Sequence, residues 1–260
     1  MNTATTRSRS EAFLWPAVAL GGLVSVWALA VVLSKTQIFP SPSQVLRGMG
    51  ELLQAGRLWR YIGDSLMRVG VGFGLATLLG VPLGLAMGLH RVTAMVLNPV
   101  IQVLRPISPL AWIPVAVVLF GVGDTSTIFL ILLSSFFPMT MAAMNAVSHV
   151  PAIYVRAGRN FGLSGASLLF RVVLPASLPY LINGMRVSLG VAWLVVVAAE
   201  MLGVDSGLGY LIMDARNAGK RYDLVVAGMV MIGVIGLALD GLLRGLERAR
   251  IVRWAHADDS

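Results

Sequence analysis

Arg156-Ala-Gly-Arg-Asn-Phe-Gly-Leu-Ser-Gly-Ala-Ser-Leu-Leu-Phe-Arg-Val-Val-Leu-Pro175 is a basic interruption between the fourth and fifth strongly apolar stretches of the chain. Its apolar residues, Ala157, Phe161, Leu163, Leu168, Leu169, Val172 and Val173, recur at roughly helical spacing between charges. Such a pattern packs against protein and does not span lipid. The segment is long enough for two short helices and starts just after Pro151, while Gly162 and Gly165 break its middle. A bent helix–turn–helix able to seat in a groove is the expectation. On these residues alone, a solvated loop is the other reading.

Around this segment the chain is 57% hydrophobic and 12% charged, against about a quarter charged in ordinary soluble domains. Apolar runs near twenty residues repeat along it, each able to cross about 30 Å of hydrocarbon as a helix. Only helices or closed barrels satisfy the backbone there, and the alternation of barrel strands is missing. The expectation is an all-α polytopic membrane protein, one domain over 1–260, with its core at about 60–245 and the loop at about 150–176. Six spans are expected near 12–34, 66–89, 96–121, 126–147, 178–202 and 224–244. The third holds Pro99, Pro106, Pro109 and Pro114 and must bend or break. Pro40 to Asp64 carries an amphipathic stretch (Val45, Leu46, Met49, Leu52, Leu53) suited to an interface or to covering other helices.

Catalytic classes find little support. There is no cysteine, which excludes disulfides, thiol chemistry and cysteine metal sites. His90, His149 and His256 are scattered, with no helical metal pair. No phosphate-binding glycine loop occurs, and Ser108, Ser134 and Ser135 have no His or Asp arranged with them. The net charge of +8 comes from arginines flanking spans, not from an aromatic-interleaved basic patch.

The flanking charges also orient the chain. Arg7, Arg9, Arg91, Arg156, Arg159, Arg171, Arg244, Arg248, Arg250 and Arg253 fall on one side of a six-span layout. On the other side Lys35, Arg47, Arg57, Arg60, Arg216, Lys220 and Arg221 mix with six carboxylates. The basic excess places both termini and the 156–175 loop in the cytoplasm. Within the spans, Gly80, Gly84 and Gly88 are spaced for close helix approach.

Ionisable groups in hydrocarbon are costly, which makes Arg105, Arg186 and Glu200 candidates for function. Arg186 and Glu200 lie about 21 Å apart along one helix and cannot pair with each other. Either the two arginines reach the cytoplasmic interface and Glu200 the outer one, or they serve a pore or gate.

A resemblance becomes visible in the mid-chain loop. Ala157, Gly158, three residues, Gly162, nine residues, Val172, one residue, Leu174-Pro175 resembles the EAA loop of ABC importer permeases. Arg156 stands where that loop has glutamate, and Gly158 where it has its second alanine. A second resemblance joins Pro106–Pro114 with the run Asn183–Leu202, Gly207–Asp214 and Tyr222-Asp-Leu. Together these look like the permeases of nitrate, taurine and aliphatic sulfonate importers, a group that includes bicarbonate carriers. The similarity covers about residues 38 to 250.

The resemblance implies a type I ABC importer permease fold in a bacterial inner membrane. It implies a membrane-spanning subunit forming the path for a small anion, with no enzymatic activity or cofactor of its own. ATP and Mg would sit on separate cytoplasmic ATPase subunits. A periplasmic or lipid-anchored binding protein and a second permease copy, as a homodimer, would complete the assembly. Arg156, Ala157, Gly158, Gly162, Leu174 and Pro175 would then be the ATPase-coupling loop. Arg105, Ser108, Trp112, Asn183, Arg186, Trp193 and Glu200 are the candidates for the translocation path. An importer for another small solute, such as bicarbonate or a vitamin precursor, is an alternative. An ion-gradient-driven secondary transporter is another, but neither an inverted repeat nor a mid-membrane carboxylate pair is evident in the residues.

Overall fold

The computed structural model describes residues 9–34 and 39–247. The expectations placed on Arg7, the Arg9 side chain, Lys35, Arg248, Arg250, Arg253 and His256 lie outside what is described. The chain begins with α1 (Arg9–Ser34), α2 (Pro42–Gln54), α3 (Arg57–Leu89) and α4 (Arg91–Leu104). A 3-10 turn (Pro109–Trp112) leads into α5 (Ile113–Phe120), followed by α6 (Asp124–Ser148) and α7 (Ala152–Asn160). Then come α8 (Gly165–Leu168), a π turn (Leu169–Val173), α9 (Leu174–Gly203), α10 (Leu208–Gly219) and α11 (Tyr222–Glu247).

Five helical segments are long and apolar enough to cross a membrane, in α1, in α3, in α6, from Gly165 to Gly203, and in α11. The expected third span breaks, as its prolines required: α4 and the 109–120 segment meet at 83°, and counted as one they make a sixth span. Pro106 and Pro109 supply no backbone N–H, and the residue before a proline is pushed out of helical geometry. A straight rod is therefore impossible at that point. The second span starts at Arg57, nine residues before its expected edge. Arg57, Arg60 and Asp64 hid its first turns, because 33 residues make a helix of about 50 Å, longer than the hydrocarbon is thick.

The amphipathic segment is α2. Ser41 caps it reciprocally: its Oγ accepts from the Gln44 N–H at 3.4 Å, while Gln44 Oε1 accepts from the Ser41 N–H at 2.7 Å. Pro42 follows at the first helical position, where no donor is lost. Val45 and Leu52 are buried in the core cluster with Leu211 and Ala227, so this helix covers others, as expected.

At the centre, α3 and α6 run parallel with α9 antiparallel against them. The α3–α6 seam keeps one register along its length. A Cβ on Gly72 would stand 2.7 Å from Ile131 Cβ, and on Gly80 3.1 Å from Thr140 Oγ1. On Gly84 it would meet the Thr140 carbonyl and come 2.6 Å from Ala143 Cβ, and on Gly88 2.6 Å from Val147 Cβ. The glycines thus let two backbones touch, the expected packing role for 80, 84 and 88. Gly184 on α9 does the same against Ala142.

Replacing Gly84 by valine should cost at least about 1–3 kcal/mol, since its neighbours are backbone and Cβ atoms that cannot rotate away. Gly74, on the same helix, faces open space, and Gly74→Ala should stabilise by up to about 1 kcal/mol. Thermal unfolding midpoints of the two variants in detergent check the pair, and equal shifts would contradict the seam.

Candidate functional site

Two places carry functional geometry, one at each end of the central helices. The first is the mid-chain loop, which is the bent helix–turn–helix expected. Pro151 precedes α7, which ends in a full Schellman closure. The Gly162 N–H donates to Arg159 O at 2.9 Å and the Leu163 N–H to Gly158 O at 3.0 Å. That closure needs a left-handed residue at 162, and Gly162 has φ +79°. Ser167 Oγ then accepts from the Ser164 N–H at 3.1 Å to start α8.

Gly158 is buried because a Cβ there would lie 2.8 Å from Leu168 Cδ1 and 3.2 Å from Val172 Cγ2. The absence of a side chain lets α7 close onto the π turn. Val150, Leu168, Val173 and Ala176 form the small core beneath. Pro175 sits in the first turn of α9, and Leu174 packs toward Ala143, Ala146 and Leu181. The loop is therefore joined rigidly to the membrane helices.

On its outer surface Tyr154, Ala157, Phe161, Leu163, Arg171 and Val172 line an open, mainly apolar groove of about 360 Å³. Phe161 is 86% exposed at the groove's edge, Arg171 lines the groove with it, and Arg156 and Arg159 on α7 are also exposed.

The second place is a buried ionic clasp at the opposite end. Arg68 on α3 is 2% exposed and Glu200 on α9 is 1% exposed. Arg68 Nη1 donates to Glu200 Oε1 at 2.7 Å and to the Ser206 carbonyl at 2.9 Å. Its Nε donates to Asp124 Oδ1 at 2.8 Å, at the start of α6, and its Nη2 to Ser206 Oγ at 2.6 Å. Ser65 Oγ donates to the Glu200 carboxylate at 2.8 Å and accepts from the Leu208 N–H at 2.9 Å. Glu200 Oε2 accepts from the Gly209 N–H, also at 2.9 Å.

The two glycines flanking Leu208 make the approach possible. A Cβ on Gly207 would overlap the Glu200 carboxylate, and one on Gly209 would lie 2.8 Å from Glu200 Cβ. The charged atoms of Arg68 and Glu200 are all matched, as a buried ion pair requires.

Glu200 thus does not reach the outer interface, as one reading of the sequence had it. Glu200 was singled out from the sequence, but Arg68, Ser65 and Ser206 were not. Two signals were available: Arg68 is an arginine inside an apolar run, and Gly207-Leu-Gly209 marks a close backbone approach. Helix α10 was also missed, although Leu208, Leu211, Ile212 and Ala215 follow helical spacing and are all buried.

The remaining candidates are dispersed. Arg186 Nε pairs with Asp240 Oδ1 at 2.8 Å, and Asp240 Oδ2 with Arg244 Nε at 2.7 Å, tying α9 to α11. One or two turns along that seam, the buried Trp193 donates its indole N–H to the Ile232 carbonyl at 3.1 Å. Trp112 packs on Ala116, Leu130, Val195 and Ala199. Arg105 ends α4 and Ser108 lies in the 83° break, both exposed, and Asn183 is exposed on α9. Arg105 makes no ion pair among the described residues.

Residues 80–252 match the family described as "Binding-protein-dependent transport system inner membrane component". The chain is 37% identical over 236 residues to the taurine transport system permease protein TauC of Escherichia coli, covering 88% of this chain and 84% of that one. It is 34% identical over 241 residues to the nitrate import permease protein NrtB of Synechocystis, covering 89% and 87%. An inward-facing structure of the MetNI methionine ABC transporter shares the fold at TM-score 0.65 and 19% identity, covering 78% of this chain and 97% of that one. With its helical membrane bundle and this similarity over most of its length, the chain belongs to the binding-protein-dependent transport system inner membrane components and is a permease subunit of an ABC importer.

Proposed function

We propose that the permease carries a small anion with a sulfonate- or nitrate-like head, driven by ATPase subunits that dock on the 150–176 loop from the cytoplasm. The single observation that carries this reading is the loop itself. It presents an exposed Phe161 and a mainly apolar groove that Arg171 borders, yet is packed onto the start of α9. Force applied to such a surface moves a membrane helix. ATP and Mg belong on the partner, and this chain supplies the lever.

In this reading the protein sits in a bacterial inner membrane with both termini cytoplasmic. A second, identical copy completes the path, and a periplasmic or lipid-anchored binding protein delivers the cargo to the opposite face. Closure of the ATPases favours one arrangement of the spans over the other, which is a population shift produced by differential binding. The similarity to taurine and nitrate permeases supports the anion class. Of the cationic path candidates, Arg186 is balanced by Asp240, which leaves Arg105 at the 83° break as the charge that attracts the anion. Ser108 and Trp112 lie on the same bend and would line it.

Affinity capture of the permease should bring down an ATP-hydrolysing partner, and reconstituted vesicles with the cognate binding protein should take up radiolabelled taurine or nitrate only with ATP. ATP-independent uptake would overturn the proposal. Gly162→Val should lower that uptake at least tenfold while membrane levels of the subunit hold, because left-handed backbone costs a side chain about 1–2 kcal/mol. Gly162→Asn should retain most activity, since asparagine tolerates that conformation. Identical uptake by the two variants would remove the loop from the coupling mechanism.

A further inference from the structure

Helix α10 has no cap of its own: no side chain at Gly207 satisfies its first N–H groups. Those of Leu208 and Gly209 are accepted instead by Ser65 on α3 and Glu200 on α9. The start of α10 is thus held by other helices, through Glu200, which also binds Arg68, and through Ser65, which binds Glu200. Its far end is anchored separately. Lys220 turns the chain with φ +48°, and Arg221 donates to Glu51 on α2 and to Asp223, both at 2.7 Å. One end of α10 is therefore tied at the surface, and the polar ties of the other run to the buried clasp, beside Leu208 in the apolar core.

We infer that Arg68 and Glu200 are positioning residues that hold α10 closed over the outer end of the bundle, and that each transport cycle releases them. This rests on the importer reading above. The contrast within the bundle supports it. Along α3 and α6 the seam is glycine against backbone, a contact that would gain nothing from water. At the outer end, α3, α6, α9 and α10 are joined by one guanidinium and two carboxylates, Arg68 with Glu200 and Asp124. A contact that is only structural is served as well by apolar side chains, which avoid desolvating a charge. Polar groups, by contrast, are satisfied in both states of a contact that opens, by one another when closed and by water when open. Asp124, 54% exposed, gives water an entry to the clasp.

Because the chain contains no cysteine, Ser65→Cys places one near-isosteric thiol inside the clasp, at a residue with no exposed surface. The variant is reconstituted with its ATPase and binding protein and treated with a membrane-impermeant maleimide. Labelling should be negligible at rest and rise at least tenfold when ATP and vanadate trap the closed ATPases. Adding Glu200→Gln, or the milder Asp124→Asn if the first fails to assemble, should raise resting labelling tenfold without nucleotide. Thiol protection that persists through turnover, or that is unchanged by the charge-neutral variants, would make the clasp a static brace and overturn the inference. Failure of the importer reading is seen separately, as absence of ATP-driven uptake by the unmodified chain.

Discussion

Helices in a membrane gain little from hiding apolar surface, since lipid is as apolar as leucine; they associate through close packing and polar contacts. In this permease the close packing is the α3–α6 seam. Gly72, Gly80, Gly84 and Gly88 meet Ile131, Thr140, Ala143 and Val147 in constant register over most of both helices. That register fixes α3 and α6 as a parallel pair, and α9 closes on it with Gly184 against Ala142. The outer elements take their places from this centre. Helix α11 is tied to α9 by Arg186–Asp240 and by the Trp193 indole, and α2 covers α11.

The two ends of the centre are built differently, and α9 joins them. At one end α9 is continuous through the π turn with the helix–turn–helix that carries Phe161. At the other it presents Glu200 to Arg68 and to the start of α10. Its 30 residues make a rod of about 45 Å. On the proposed function, a displacement of the loop is felt at the clasp without any flexible element between them.

Much of this was legible from the chain. Apolar run lengths implied the membrane helices, the four prolines implied a bent or broken third span, and Gly162 with Gly165 implied the bend in the loop. The loop residues expected to act together do lie together, because their contacts are local in sequence. The clasp was not legible in the same way. Ser65, Arg68, Asp124, Glu200 and Ser206 come from three helices and a loop, and periodicity says nothing about which polar groups meet across a bundle. Arg68 sat two residues inside an expected span edge and drew no reading of its own. Glu200, read alone near the end of a span, had no visible partner to keep it from water.

Composition and hydrophobic period by themselves determined that the chain is helical and membrane-spanning, since an unpaired backbone cannot exist in hydrocarbon. Local backbone chemistry likewise determined where it turns, at Gly162 and at the Pro106–Pro109 break. Which charges are buried and paired, and that α10 depends on other helices for its first hydrogen bonds, was decided only by the tertiary structure. Those contacts join residues up to 143 positions apart. They exist only once the glycine seam has brought α3, α6 and α9 to a fixed separation.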